Sequence, residues 1–351
     1  MCIAGSSLSR FVEYNRTESI FDEMCYTLSD QMNRVAWGST IHDDWLPYGD
    51  STTFYGFIYV DPSLSSTSTS CGVKASPCSS ISESIKSSYY GRSEFREVVL
   101  MEGTHQNDKR TIDVGENTLP IRNYGEVEFD VPSSFSSTSS VFSISNGILN
   151  MNGFVIEMKK TIGSGCSFVY VNGGGSVILN SMSISGGSSS YATSNTPLLD
   201  IGSGSISCDN VTFENITRLS GNGTIFEFTS LSTSFTLSGM TFNNCRCLSG
   251  NGGVIYVTLS SNSYLVSLYS LTFVACSASI YGGGVFIDGG EYISTSSLSF
   301  SSLSFTSCSA TSYGGSGMCI AGSSLSRFVE YNSWNTLVPS SYSSSYEGIY
   351  V

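Results

Sequence analysis

One apolar template is printed six times between Leu149 and Cys308, and it constrains the chain more than any other feature. It reads apolar, any, apolar, any, any, apolar, any, apolar. The copies are Leu149, Met151, Phe154, Ile156; Val177, Leu179, Met182, Ile184; Ile206, Cys208, Val211, Phe213; Phe235, Leu237, Met240, Phe242; Val266, Leu268, Leu271, Phe273; and Leu298, Phe300, Leu303, Phe305. Successive starts lie 28, 29, 29, 31 and 32 residues apart. Strict internal positions with drift only in the spacers mark a repeat architecture.

Apolar residues two apart follow the strand period, and the extra residue in the middle shifts the phase once. Each unit is therefore predicted to be two short strands meeting at a bend, with both apolar sets facing inward. Gly153 and Gly239 stand just before the third apolar position, where a corner can demand backbone geometry that glycine tolerates. A further apolar strand recurs about once per period at 168–171, 225–228, 254–257 and 285–287; Gly252-Gly253 and Gly282-Gly283-Gly284 introduce the last two. Three short strands and three bends per repeat describe one coil of a parallel β-helix. A single coil cannot bury its own inner face, so neighbours must stack on it at about 4.8 Å. No segment of the period has helical spacing, which argues against leucine-rich and ankyrin-type repeats.

At 351 residues with 40% hydrophobic content the chain can bury a sizeable core, and a solenoid can use that length without splitting into domains. Charged residues make up only 12%, and Ser and Gly, which suit the solvent side of stacked strands, take up the difference. The 20 Phe and 20 Tyr in regular alternation argue against disorder. A net charge of −13 and a pI near 4.5 argue against nucleic acid as a partner, because phosphate binding needs a cationic surface. No run approaches 18 apolar residues, so no membrane span is expected.

Residues 1–15 recur unchanged at 318–332, beyond any chance identity. The later copy stands where a strand of the last coil belongs, and Met318-Cys-Ile320 is expected to pair with Val285-Phe-Ile287. Tyr346-Glu-Gly-Ile-Tyr-Val351 echoes Tyr55-Gly-Phe-Ile-Tyr-Val60. The chain thus divides into 1–53, a duplicated unit tail and irregular connector; 54–332, the β-helix; and 333–351, a connector and the start of a next unit. Met1, which no secretory signal follows, is read as an internal residue of a longer array. Ser80 and Glu83 form a capping box, with Ile81 and Ile85 on one helical face, and this short helix is expected to cover the open end of the solenoid.

The opening "IYVDP…PCSSISESIK…VVLMEG" resembles the strand, N-terminal capping helix and first coil strand of the pectin-lyase-like superfamily. That likeness spans roughly residues 58–332 and implies an all-β, right-handed parallel β-helix. The coils "FNNCRCLSGNGGVIYV", "FVACSASIYGGGVFI" and "FTSCSATSYGGSGMCI" are similar to the repeats of polymorphic outer membrane proteins, over 242–321. Those repeats pair an F-x-x-N motif with a Gly-Gly-apolar motif. Cys245, Cys276 and Cys308 occupy the Asn position here, so an asparagine ladder is not carried over.

Cys71 and Cys78 close a short loop, for which a disulfide is weighed against two free thiols. No second ligand pair accompanies them, so no zinc site is read, and no other metal or cofactor. Cys245, Cys276 and Cys308 should align in one column, as buried thiols filling a corner or as neighbours within disulfide reach. Glycosylation sequons begin at Asn15, Asn210, Asn215 and Asn222 and favour an extracellular or cell-surface protein. The superfamily's enzymes are mostly polysaccharide lyases and hydrolases, which need clustered or opposed carboxylates. Asp200, Asp209, Glu214, Glu227, Asp288 and Glu291 fall at different template positions, so no acidic column is expected. His42-Asp43-Asp44 lies in the connector and reads as a solvated turn, and His105 as a surface residue. The expected function is a non-catalytic, surface-exposed or secreted, adhesin-like scaffold whose long face contacts carbohydrate or protein. A carbohydrate-active β-helix enzyme is the alternative, and an aligned carboxylate pair would favour it.

Overall fold

The computed structural model describes residues 54–322, apart from 55, 65–69, 107–110, 132–139, 154, 161–165, 190, 194, 203, 229–234, 260–264, 291–297 and 313–314, together with 349–350. Residues 1–53, with the first duplicated copy, Asn15 and His42-Asp43-Asp44, lie outside the described residues, as do Glu291 and most of 333–351.

The described chain is a parallel β-solenoid of three sheets. Sheet A has 11 strands, from Phe57–Val60 to Leu298–Thr306; sheet B has five short ones, from Tyr191–Thr193 to Ser309–Ala310; sheet C has nine, from Ile112–Asp113 to Met318–Gly322 and Ile349–Tyr350. A regular coil visits A, then B, then C: Ser205–Glu214, Ile216–Arg218 and Phe226–Phe228 make one such circuit. The ladders between neighbouring coils are parallel and in register.

The template predicts inside and outside correctly. Every described template residue is buried except Phe300 and Phe305, which are half-buried in the last coil of sheet A. Phe213, Phe242, Phe273 and Phe305 form a ladder of stacked rings with centroid spacings of 5.5, 5.0 and 4.7 Å. Phe213, Phe242 and Phe273, which are fully buried, each contribute about 1.5–3 kcal/mol relative to exposure.

The bend is less of a break than the sequence suggests. Ser176–Ser185, Ser205–Glu214, Val266–Val274 and Leu298–Thr306 each run through it as one strand. The residue before the third apolar position turns left-handed in all six units: Gly153 (φ 77°), Ser181 (50°), Asn210 (52°), Gly239 (63°), Ser270 (51°) and Ser302 (55°). The ladder is interrupted only at the two glycines, where separate strands end and begin on either side. The αL corner was legible at those glycines and invisible at the serines. Sheet B was not expected as a separate sheet; its strands follow a second left-handed corner at Asn215, Asn244, Ala275 and Ser307.

The paired glycines have distinct roles. Gly223, Gly252, Gly282 and Gly315 take φ between 62 and 67° at one turn of successive coils. Gly253 and Gly283 are needed for closeness: a Cβ would strike the carbonyl oxygens of Gly283 and Ser316, respectively. Stacked coils leave no space for a side chain there.

At the N-terminal end, the outer edge of strand Phe57–Val60 is occupied. Tyr59 N–H donates to Gly72 O (2.9 Å), Asp61 N–H to Cys78 O and Cys78 N–H to Tyr59 O (both 2.8 Å). Ile81–Ser84 forms one helical turn with Ile81 buried in the core. Ser80 Oγ accepts from Glu83 N–H at 3.3 Å, as a capping box requires, but Glu83 reaches back to Ser79, accepting from its N–H at 3.0 Å and its Oγ at 2.6 Å. At the other end Met318, Cys319 and Ile320 pair with Val285, Phe286 and Ile287, as the second duplicated copy was expected to do. Ile349–Tyr350 then adds to Met318 and Cys319.

Candidate binding surface on the third sheet

In sheet C a residue turned away from the core stands between two core neighbours, and the longer strands add a second one, as Thr258 and Asp288. The register links Ser143, Tyr170, Asp200, Glu227, Tyr256, Phe286 and Cys319 into one column on the side away from the core, of which Phe286 and Cys319 are themselves covered and buried. Its centre reads Tyr170, Asp200, Glu227, Tyr256: two carboxylates on adjacent strands, each flanked by a half-buried tyrosine. Further along, Tyr256 stacks on Phe286 at 5.6 Å, and Phe286 on Tyr281 at 5.7 Å. The expectation of no acidic column is therefore corrected for one pair. Asp209, Glu214 and Asp288 do remain apart from it, on other strands or at other positions.

Arg218 is the residue that sequence reasoning missed. It ends its sheet B strand with the side chain buried, 3% exposed, and reaches Glu227 Oε2 at 2.7 Å. The guanidinium also donates to Ser220 O (2.9 Å), Gly223 O (2.9 Å), Asn222 O and Asn195 O. The turn wraps it so closely that a Cβ on Gly221 would strike the guanidinium. Arg218 thus pins a loop and neutralises a carboxylate at the same time.

Burial raises the pKa of Asp200, opposed by Arg218. Burial likewise raises Glu227; Arg218 opposes this by charge and hydrogen bond, and Asp200 adds to it. In-register carboxylates project from strands about 4.8 Å apart, side by side on one face. The arrangement offers hydrogen-bond acceptors between aromatic faces, a combination suited to a polyhydroxylated or peptide ligand. The signal was present in sequence, since Leu199-Asp-Ile201 and Phe226-Glu-Phe228 are both apolar-acid-apolar. No Gly-Gly introduces the first, so it did not stand out.

The Sγ atoms of Cys71 and Cys78 are 2.03 Å apart, and both residues are fully buried. Cys245, Cys276 and Cys308 stand one per coil at the start of the sheet B segment, each thiol donating to the carbonyl of Phe213, Phe242 or Phe273 in the coil before (3.8, 3.4 and 3.6 Å). All three are free thiols. Burial and contact with Cys245 hold the Cys276 thiol well above its ordinary pKa, and contact with Cys276 followed by burial does the same for Cys308. Such thiols are poor nucleophiles.

One residue before Cys245, a short asparagine ladder does exist. Asn244 Nδ2 donates to Asn215 Oδ1 (2.7 Å), and Asn215 Nδ2 donates to Gly187 O (3.1 Å). Asn210 is exposed at its bend, and Asn222 Oδ1 accepts from Asn251 N–H (2.8 Å). His105, expected at the surface, is 4% exposed: its Nε2 lies 2.8 Å from Met101 O and its ring is tilted on Phe129. It sits on the inward side of a strand that runs on through Gly103, where the register shifts.

Among the described residues no group of three or more His, Cys, Asp or Glu side chains is placed to hold a metal ion, and no helix is long and apolar enough to cross a membrane. No family model, no curated protein and no solved structure matches this chain.

Proposed function

We propose that this chain is a non-catalytic, adhesin-like scaffold, surface-exposed or secreted, of the pectin-lyase-like right-handed β-helix kind, which binds carbohydrate or protein along sheet C. The observation that carries the reading is the outward run Tyr170, Asp200, Glu227, Tyr256. An extracellular location is supported by the sequons and by the short loop from Cys71 to Cys78, which a disulfide would close, and the coils' likeness to polymorphic outer membrane protein repeats points the same way. Binding to immobilised polysaccharides and cell-surface extracts tests the reading. Tyr256→Ala should weaken capture tenfold or more with the far-ultraviolet spectrum unchanged; undiminished capture would remove sheet C from consideration.

The enzyme reading is favoured by the same aligned pair. Against it, Glu227 is held by Arg218, whose other donors are spent on backbone carbonyls, which marks this carboxylate as structural. Release of reducing or unsaturated ends from acidic polysaccharides, abolished by Asp200→Asn, would reverse the choice.

A further inference from the structure

Three glycosylation sequons fall among the described residues, and their surroundings differ sharply. Asn210 is exposed at the left-handed bend of sheet A, and its acceptor-motif residue Thr212 is half-buried on the outward side of the same strand. The residues at the same bend in the neighbouring coils are Ser181 and Gly239, both small. Asn215 is committed: its Nδ2 donates to Gly187 O, and its Oδ1 receives Asn244 Nδ2. Asn222 is committed twice, through Oδ1 to Asn251 N–H and through its carbonyl to Arg218, and Thr224 of its sequon is fully buried.

We infer that Asn210 is the N-glycan attachment site of the solenoid, and that the folded coils do not accommodate glycans on Asn215 or Asn222. Transfer would join Asn210 Nδ2 to the anomeric carbon of an oligosaccharide carried on a polyisoprenyl pyrophosphate. The anomeric C–O bond breaks, its electron pair leaves with the lipid pyrophosphate, and one amide proton is released. Transfer precedes folding, so the structure selects among products: a glycan on Asn215 Nδ2 must leave through Gly187 and Asn244, whereas one on Asn210 leaves into solvent. Use of the site in the native cell rests on the secreted reading above.

The test is expression of the full chain in a eukaryotic secretory host, with glycopeptide mapping of the folded, secreted fraction. The expected result is a glycan on the Asn210 peptide and bare Asn215 and Asn222. Asn210→Gly, which suits the left-handed backbone as Gly239 does one coil on, and Thr212→Ala should each remove that glycan, and Asn215→Gln should not. A folded chain bare at Asn210, or carrying glycans at Asn215 or Asn222, overturns the assignment. Modification in the host but not in chain isolated from its own cells would overturn secretion and leave the site assignment standing.

Discussion

At the scale of single residues, the left-handed corners and the phenylalanine ladder dominate. Ser270 holds φ 51° with its side chain exposed, so only backbone strain is at stake there. Ser270→Ala should be near neutral, because both residues carry a Cβ, whereas Ser270→Gly should stabilise by about 1 kcal/mol. Gly253→Ala should instead destabilise strongly, since its Cβ meets the carbonyl of Gly283. Phe273 lies fully buried between the rings of Phe242 and Phe305, and Phe273→Ala should cost ~3–5 kcal/mol. Denaturant titration of the four variants checks the order; equal effects at Ser270 and Phe273 would show inside and outside to be misassigned.

At the scale of elements, the loop from Leu219 to Thr224 is held by backbone bonds to Thr193, Ser249 and Asn251 and, on its inner side, by one guanidinium. Arg218→Met leaves Glu227 without its partner and four carbonyls without a donor, and should destabilise by about 3–5 kcal/mol. Adding Glu227→Gln should recover part of the loss, and a double-mutant cycle measures the coupling. The acid pair also sets a pH dependence. Burial raises the pKa of Asp200 and Glu227, so the folded state holds their protons more tightly than the unfolded chain. Their contribution is fully favourable below the ordinary carboxylate range and is lost as pH rises through the raised folded pKa values. The unfolding midpoint should fall over that interval, and Asp200→Asn should flatten the fall; a midpoint rising there in wild type alone and not in Asp200→Asn would contradict the burial of this carboxylate.

At the scale of the whole molecule, the described coils touch only their neighbours, so stability is a sum of coil and interface terms and the outermost described coils are the weakest of them. The two ends differ. Strand Phe57–Val60 is closed by backbone bonds to Gly72 and Cys78, whereas the rings of Phe300 and Phe305 in the last sheet A coil are half-buried. Amide exchange should therefore be slowest in Ser205–Glu214 and Val266–Val274, slow at Tyr59, and fastest within sheet A at Leu298–Thr306. Replacing Cys71 and Cys78 by Ser should abolish the slow exchange at Tyr59 and cost about 2–3 kcal/mol by loop-closure entropy.

The sequence by itself determined the repeat, its inner face and the pairing of Met318-Cys-Ile320 with Val285-Phe-Ile287, though not the separate strand of sheet B, because burial imposes a local alternation that every unit repeats. It also showed the left-handed turn wherever glycine marks it. Tertiary structure decided the rest. Ser181, Ser270 and Ser302 adopt the glycine conformation because in-register stacking forces one bend on all coils, whatever the residue's own preference. Asp200, Glu227 and Arg218 meet because spacer lengths and strand register bring coils into line, and outward positions carry no periodic signal from which to read it. His105 is buried for the same kind of reason: the register shift at Gly103 resets which side of its strand faces the core, and a lone polar residue announces no side.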